Sequence, residues 1–146
     1  MFWGSHDHVL DDKGRTSLPK EFRESLATFD GEPWITAGEC TITIYPPAVF
    51  EEIRRRLTGP GSHAASVRQL QRLILGMASR CAIDKQGRIL VPPKLREWKN
   101  LQRDVVFMGL GDLIELWDRE EHANALRTAQ AHYAEFSSAH LGRSDS

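Results

Sequence analysis

Cysteine is scarce in this sequence, and its spacing suits neither metal nor disulfide chemistry. Only Cys40 and Cys81 occur among the 146 residues, and neither belongs to a C-x-x-C pair or to a cluster with histidine. A disulfide framework and a zinc finger are therefore not indicated. We expect both cysteines to be buried thiols, and we expect the protein to need no cofactor.

Long apolar runs are also missing. The longest, around Leu73–Met77 and Val105–Leu110, have the length of a strand or a single helical turn. A membrane-spanning helix needs about 18 or more such residues in succession. Met1–Asp7 lack the basic and apolar regions of a secretory signal. We therefore expect a cytoplasmic protein without a membrane partner.

Catalytic signatures are absent as well, since the chain contains no G-x-S-x-G, P-loop or H-E-x-x-H motif. The best material for an enzyme is His6-Asp7-His8 with Asp12 nearby, because alternate residues of a strand share a face and two histidines there could bind a metal. No third ligand follows at a suitable spacing. We expect no catalysis and no metal site, whereas a metal hydrolase would contain stoichiometric metal after purification.

The formal net charge of −1 conceals a strong division of charge along the chain. Residues 1–53 contain 4 basic and 10 acidic side chains, residues 54–103 contain 12 and 2, and residues 104–146 contain 3 and 8. A middle third this basic has the charge expected of a phosphate-binding surface. On charge alone, a solvated set of side chains that pair with one another or with the acidic flanks is an equally good interpretation.

The most informative feature is an internal repeat at an offset of 73 residues. Residues 9–24 (VLDDKGRTSLPKEFRE) and 82–97 (AIDKQGRILVPPKLRE) are identical at six of sixteen positions. The identical pairs are Asp11/Asp84, Gly14/Gly87, Arg15/Arg88, Pro19/Pro92, Arg23/Arg96 and Glu24/Glu97. Each copy is shorter than an independent domain, so the pattern indicates a duplicated supersecondary unit.

Each copy is predicted to run strand, turn, strand and helix. The glycine of Asp-x-x-Gly supplies the positive φ of a tight turn, which makes the motif a hairpin tip. Pro19 and Pro92 suit the first position of a short helix. Apolar pairs at helical spacing follow these prolines, namely Phe22/Leu26 and Leu95/Trp98.

Further segments complete each half of the chain. Alternating or apolar residues predict strands over 34–36, 40–44, 105–108 and 113–117. Helices are predicted from Pro47 and, with a capping box, from Asp118. Their apolar stripes consist of Phe50, Ile53 and Leu57 in the first helix, and of Leu126, Ala129, Tyr133 and Phe136 in the second.

These elements predict four parts of the chain. The first repeat with its helix covers residues 1–57, a linker with a connecting helix covers 58–80, the second repeat with its helix covers 81–136, and a flexible tail covers 137–146. The connecting helix is predicted near Ala64–Ser79, with Leu70 among its inward residues. We expect an α+β protein in which the two half-units pair into one β-rich barrel surrounded by helices.

Two ordered sets of motifs resemble the MraZ family. The first set is Phe2-x-Gly4, Leu10-Asp11-x-Lys13-Gly14-Arg15 and Pro19-x-x-Phe22-Arg23. The second set is Gln71-Arg72-x-x-x-Gly76-x-Ala78, Asp84-x-x-Gly87-Arg88-Ile89-x-Val91-Pro92-x-x-Leu95-Arg96 and Ile114-Glu115-Leu116-Trp117. MraZ proteins are bacterial transcriptional regulators of the division and cell-wall gene cluster, and they contain two AbrB-like (SpoVT-AbrB) D-x-x-x-R modules.

The resemblance implies a tandem swapped-hairpin β-barrel of the AbrB type with flanking helices. It also implies a homo-oligomeric ring that binds short direct repeats in double-stranded promoter DNA, at the nucleoid. The DNA-binding residues that it implies are Asp11, Lys13, Gly14 and Arg15 in the first copy, and Asp84, Gly87 and Arg88 in the second. Gln86 stands opposite Lys13 in the second copy, so the two copies need not contribute equally, and Arg80 occupies a position where we expect an acidic residue.

Arginine at a turn is suited to DNA because its planar fork can hold a phosphate, or guanine O6 and N7, through two hydrogen bonds. The alternative is that each Asp–Arg pair only rigidifies its turn, and both roles can coexist. Lys85, Arg23 and Arg96 are candidate phosphate contacts, although for the two arginines we expect a solvated helix face and a supporting role. Tyr45 and Trp117 are expected to be packing anchors.

Two functional hypotheses follow. The first is a ring-forming, sequence-specific DNA-binding regulator for which repression is the simplest outcome, because one or two contacts per subunit bind weakly and a ring multiplies them. The second is a ring-forming scaffold whose basic middle block binds acidic partner proteins without specific DNA binding.

Overall fold

The computed structural model describes residues 1–142, which form an α+β fold. Its strands are β1 (Ser5–Val9), β2 (Arg15–Ser17), β3 (Trp34–Ala37), β4 (Ile42–Tyr45), β5 (Ser79–Arg80), β6 (Arg88–Leu90), β7 (Asp104–Gly109) and β8 (Ile114–Asp118). Its α-helices are α1 (Lys20–Leu26), α2 (Pro47–Thr58), α3 (Ala65–Leu70), α4 (Pro93–Trp98), α5 (Arg119–Ala131) and α6 (Tyr133–Leu141).

The two halves of the chain share one antiparallel sheet. Its six strands lie in the order β1-β7-β8-β4-β3-β5, and a separate two-stranded ribbon consists of β2 and β6. Within this sheet, strands from the two repeats pair at two places, β1 with β7 and β4 with β8, and the ribbon pairs β2 of the first repeat with β6 of the second. Neither repeat therefore has a sheet of its own, as expected for units that are each too small to bury a core alone.

The core is built from equivalent positions of the two repeats. Phe22 of α1 and Leu95 of α4 are both buried, and the ring of Phe22 meets that of Phe2 edge to face at 5.7 Å. The middle strands add Ile44, Phe107, Ile114 and Leu116, all fully buried. Each such side chain contributes about 1.5–3 kcal/mol on burial, so the short helices are anchored mainly by packing.

The predicted hairpins are only partly correct. Each Asp-x-x-Gly segment makes the expected tight turn, with Gly14 N–H donating to the Asp11 carbonyl at 3.0 Å. The strands on either side of the turn then diverge, because β1 and β5 join the large sheet while β2 and β6 pair with each other. A local turn signal does not specify which strand becomes the partner, and here the partner of each short strand is its repeat equivalent.

The connecting segment also differs from the prediction of one helix near Ala64–Ser79. Helix α3 ends at Leu70, a π-helical turn covers Gln71–Leu75, and Ser79 already belongs to β5. Leu70, expected to point inward, is 45% exposed. The wider turn places the carbonyl of Ile74 within 2.5 Å of the buried Thr36 hydroxyl, which donates to it, so a tertiary hydrogen bond accompanies the change of helix type.

The C-terminal helices depart from the predictions in three ways, the first being that the single helix predicted from Asp118 is divided at His132 into α5 and α6. Asp118 caps α5 as expected, since its carboxylate accepts hydrogen bonds from the N–H groups of Glu120 and Glu121. The predicted apolar stripe, Leu126, Ala129, Tyr133 and Phe136, is exposed. Residues 137–141, predicted to be part of a flexible tail, continue α6, and Gly142 forms its C-cap. Residues 143–146 of that predicted tail lie outside the described residues.

One further prediction about a single residue is wrong. Cys40 is exposed, whereas Cys81 is buried as expected, and burial raises the pKa of the Cys81 thiol to about 12. Trp98 is 47% exposed although Leu95 beside it is buried. In residues 1–142, no helix has both the length and the apolar composition needed to cross a bilayer.

Candidate functional site

The first candidate loop, residues 11–15, is organised around one carboxylate. Oδ1 of Asp11 accepts hydrogen bonds at 2.9 Å from the backbone N–H groups of Lys13 and Arg15. Its other oxygen, Oδ2, accepts one from Nε of Arg15 at 2.9 Å. Asp11 therefore holds both the turn and the base of the arginine fork.

The second loop, residues 84–88, repeats this geometry. Oδ1 of Asp84 accepts from the N–H groups of Gln86 at 2.8 Å and Arg88 at 2.9 Å, and Oδ2 accepts from Nε of Arg88 at 3.0 Å. Of residues 1–142, none accepts a hydrogen bond from the Nη atoms of Arg15 or Arg88. The pairing thus orients each guanidinium and leaves its outer edge open, which is compatible with both roles considered for the arginines.

The loops differ in charge at two pairs of equivalent positions, Asp12/Lys85 and Lys13/Gln86. Asp12 precedes Lys13 in the first loop, whereas Lys85 precedes Gln86 in the second, and all four side chains are exposed. The second loop therefore has more net positive charge beside its arginine. An anion will be attracted more strongly to the second loop than to the first.

Low pH is expected to weaken both loops. The N–H and the guanidinium of Arg15 lower the pKa of Asp11 below its ordinary value of 3.8, and Arg88 does the same for Asp84. A carboxyl whose pKa is lower in the folded state stabilises that state fully above its unfolded pKa and loses the contribution as pH falls through the folded value. The free energy of unfolding should therefore decrease below about pH 4.

Denaturant unfolding followed between about pH 6 and pH 2 tests this expectation. The variant Asp11→Asn/Asp84→Asn keeps an oxygen acceptor at each turn but cannot titrate, so its unfolding free energy should depend less on pH than that of the wild type. An identical pH dependence in the two proteins would show that these carboxyls are not linked to folding.

Strands β2 and β6 place the two arginines, which are both half-buried, on the outer face of the ribbon. The antiparallel register pairs Arg15 with Leu90, Thr16 with Ile89, and Ser17 with Arg88. Directly opposed residues share a face, so Arg15, Ser17, Arg88 and Leu90 point one way while the buried Thr16 and Ile89 point into the core. Arg15 and Arg88 are diagonal neighbours, for which the spacing is about 7–8 Å.

Each loop is also covered by an arginine from the other repeat. The guanidinium of Arg96 lies over Gly14 and its Nη1 approaches the Asp12 carbonyl at 3.5 Å. The side chain of Arg23 lies against Gly87. Arg23 and Arg96, expected on a solvated helix face, are half-buried and pack across the two loops, and neither was expected to reach the opposite repeat.

Backbone hydrogen bonds connect the same two loops. The N–H of Val91 donates to the Gly14 carbonyl at 2.8 Å, and the N–H of Leu18 donates to the Gly87 carbonyl at 2.9 Å. Gly14 and Gly87 have φ values of 85° and 78°, which only glycine adopts at little cost. The two loops, the ribbon and the covering arginines therefore form one connected unit with approximate two-fold symmetry.

Three of the twelve basic side chains in residues 54–103 are paired with acidic residues of helix α2. Arg54 and Arg55 contact Glu51 at 2.5 and 3.7 Å, and Arg56 contacts Glu52 at 3.3 Å. These exposed pairs lie on one turn of α2 and neutralise much of its charge. The interpretation of an internally paired set is thus confirmed for this helix, which weakens the charge argument for an acidic protein partner.

The two histidines considered as metal ligands pack against aromatic rings of the core. His6 and His8 lie edge-on to the rings of Phe22 and Phe107 at 5.2 and 5.4 Å, and burial lowers the pKa of His8. No three histidine, cysteine or carboxylate side chains of residues 1–142 come together in a way that could hold a metal ion.

The side chains of Arg80, Tyr45 and Trp117 also contact defined neighbours. Arg80 lies over the ring of Trp34, its cross-strand partner, at 4.8 Å. This cation–π contact occupies the position where an acidic residue was expected. Tyr45 is buried against Phe50, as predicted for a packing anchor, and the half-buried Trp117 donates from Nε1 to Glu115 at 2.8 Å.

Comparison with known proteins agrees with the resemblance seen in the motifs. The family model described as "MraZ protein, putative antitoxin-like" matches residues 74–143, which include the second loop. A protein of Heliobacterium modesticaldum named transcriptional regulator MraZ is 37% identical over 137 residues, covering 92% of this chain and 93% of the relative. Proteins of the same name from Nitrosomonas eutropha and Nitrosomonas europaea are 40% and 42% identical and cover 90% and 81% of both chains, respectively. With this identity over nearly the whole length, the chain belongs to the MraZ family.

Proposed function

We propose that this protein is a transcriptional regulator that binds promoter DNA in a sequence-specific manner through the β2–β6 ribbon and its two loops. The observation that carries the proposal is the placement of Arg15 and Arg88 on one exposed ribbon face, each fixed by an aspartate and open at its outer edge. The relatives' shared name, transcriptional regulator MraZ, supports the same function.

The dimensions of the ribbon suit the major groove of B-DNA. That groove is about 12 Å wide and admits a two-stranded β-ribbon, and it presents guanine O6 and N7 to a bidentate arginine. Two arginines about 7–8 Å apart are separated by roughly two base-pair steps of 3.4 Å. Both can therefore contact one short sequence element at the same time.

Neighbouring side chains then have supporting roles in the proposal. Lys13 and Lys85, exposed at the loop tips, contact phosphates on either side of the groove. Asp11, Asp84, Gly14 and Gly87 hold the loop geometry. Arg23 and Arg96 keep the two loops in fixed positions, since each covers the glycine of the other repeat.

Assembly supplies the affinity that one ribbon lacks. Binding by phosphate contacts alone gives dissociation constants of roughly 10⁻⁴–10⁻⁶ M at physiological salt. A homo-oligomeric ring that places several ribbons on several direct repeats gains about 10²–10⁴ from effective concentration. We propose that such rings of swapped-hairpin barrels act at the nucleoid and repress the division and cell-wall gene cluster by covering its promoter.

A retardation assay with two DNA fragments tests the proposal. The first fragment is the DNA immediately upstream of the chain's own reading frame, and the second has the same base composition in scrambled order. Specific regulators bind their sites about 10³-fold or more tighter than other DNA, so we expect retardation of the upstream fragment alone at about 150 mM salt, where long-range attraction to phosphates is screened. Equal affinity for both fragments would contradict the proposal and favour the scaffold hypothesis.

A further inference from the structure

An apolar side chain interrupts the otherwise polar ribbon face. Leu90 is 51% exposed and lies directly opposite Arg15, outside the core cluster that holds its neighbours Ile89 and Val91. Single exposed leucines are ordinary on protein surfaces. This leucine, however, shares the face on which both candidate DNA-binding arginines lie.

The repeat makes the position of Leu90 more informative. Its equivalent in the first copy, at the offset of 73 residues, is Ser17, which is exposed and lies opposite Arg88. The ribbon therefore presents two arginines in equivalent positions, one beside a leucine and the other beside a serine. Any molecule that binds this face therefore meets two chemically different half-surfaces.

The major groove presents one apolar group that a leucine beside an arginine can contact. Thymine presents its C5-methyl group there, and apolar side chains contact that methyl, whereas the other base edges present donors and acceptors. We propose that Leu90 is a specificity-determining residue that packs on a thymine methyl next to the base bound by Arg15. This proposal rests on the proposed function, because it names a base that the ribbon selects.

The spacing of the ribbon supports this assignment. Directly opposed residues of an antiparallel pair have Cβ atoms about 4.5–5.5 Å apart, and one base-pair step along DNA is about 3.4 Å. Leu90 therefore reaches a base one or two steps from the one bound by Arg15. Ser17 lies equally close to Arg88 but offers a small hydroxyl, so the second half-surface has no comparable preference for thymine.

Removal of the thymine methyl from the DNA tests the proposal directly. The upstream fragment is synthesised once with thymine and once with deoxyuridine throughout, which deletes every C5-methyl and leaves the hydrogen-bonding edges unchanged. For the wild type, we expect the deoxyuridine duplex to bind about fourfold more weakly for each contacted methyl, as follows from burial of one methyl group. Leu90→Ser should bind both duplexes with equal affinity.

Two further variants serve as matched controls. Leu110→Ser changes another leucine of similar exposure, 49%, on the β7–β8 connection, and should discriminate between the duplexes as the wild type does. Ser17→Leu places a second leucine beside Arg88 and should increase the discrimination. For each variant, the ratio of its affinities for the thymine and deoxyuridine duplexes is compared with that of the wild type. This comparison cancels any effect of deoxyuridine on DNA stiffness.

Three results would overturn the inference. Leu90→Ser could retain the wild-type discrimination, the wild type could bind both duplexes equally, or Leu90→Ser could change the particle mass in light scattering, which would make Leu90 a subunit contact. Failure of the proposed function has a different signature, because the wild type would then bind the upstream thymine duplex no better than the scrambled one.

Discussion

Replacement of both Arg15 and Arg88 by alanine is expected to abolish specific retardation of promoter DNA without a change in particle mass. Each bidentate arginine–guanine pair contributes about 1–3 kcal/mol of discrimination, or roughly 5- to 150-fold in affinity. Loss of two such pairs in every subunit removes the specific component entirely. The fold should persist, because each turn keeps its backbone hydrogen bonds to Asp11 or Asp84.

The single variants and a charge-preserving variant separate the possible roles of these arginines. Arg88→Ala should cost at least as much affinity as Arg15→Ala, because Lys85 makes the second loop the more attractive one for DNA. Arg88→Lys keeps the charge but loses the planar fork, so it should retain unspecific binding and lose specificity.

A matched control removes an arginine away from the ribbon. Arg55→Ala deletes an exposed arginine that is paired on α2, and it should bind DNA as the wild type does. Retardation assays and multi-angle light scattering on the same samples measure both properties. A double Arg15/Arg88 variant that falls apart into smaller particles would identify structural arginines and would contradict the DNA-binding role.

Local elements of the fold were predictable because their signals are local. The helices from Pro47 and Asp118, the turns at Asp11 and Asp84, and the alternating strands each follow from spacing and from residues with restricted backbone conformations. The repeat also located both candidate loops without any structure. Physical periodicity and duplication are therefore sufficient to find these elements within one or two residues at their ends, except that the helix from Asp118 was predicted to continue through Phe136 and ends at Ala131.

Strand partners and side-chain surroundings were not predictable in the same way. The pairing of β2 with β6 joins residues far apart in sequence, and a three-residue strand with one buried position carries too little pattern to specify it. The packing of Arg23 and Arg96 over opposite glycines depends on that pairing. The exposure of the Leu126–Phe136 stripe likewise depends on what the rest of the chain leaves uncovered, which apolar periodicity alone does not reveal.

Replacement of Gly14 by alanine is expected to lower the free energy of unfolding by about 2–3 kcal/mol. A residue with a side chain costs roughly 1–2 kcal/mol in the left-handed region, and Gly14 lies there with φ of 85°. A Cβ would also be 3.1 Å from the carbonyl oxygen of Val91 and 3.1 Å from Cζ of Arg96. Val91 is fully buried and donates to Gly14 itself, so this backbone contact can relax only if the two loops move apart.

Comparison with other glycines isolates the contribution of the contact from that of the backbone. Gly61 has the same φ of 85° but nothing within 4 Å of an added Cβ, so Gly61→Ala should cost only about 1–2 kcal/mol from strain. A Cβ at Gly87 would overlap Nη1 of Arg23, a flexible side chain, so Arg23→Ala should recover part of the cost of Gly87→Ala. Arg96→Ala should recover less of the cost of Gly14→Ala, because the Val91 carbonyl remains. Denaturant unfolding of these variants as double-mutant cycles measures each contribution to the free energy of unfolding. Equal losses of unfolding free energy in Gly14→Ala and Gly61→Ala would show that the loops are not held against each other.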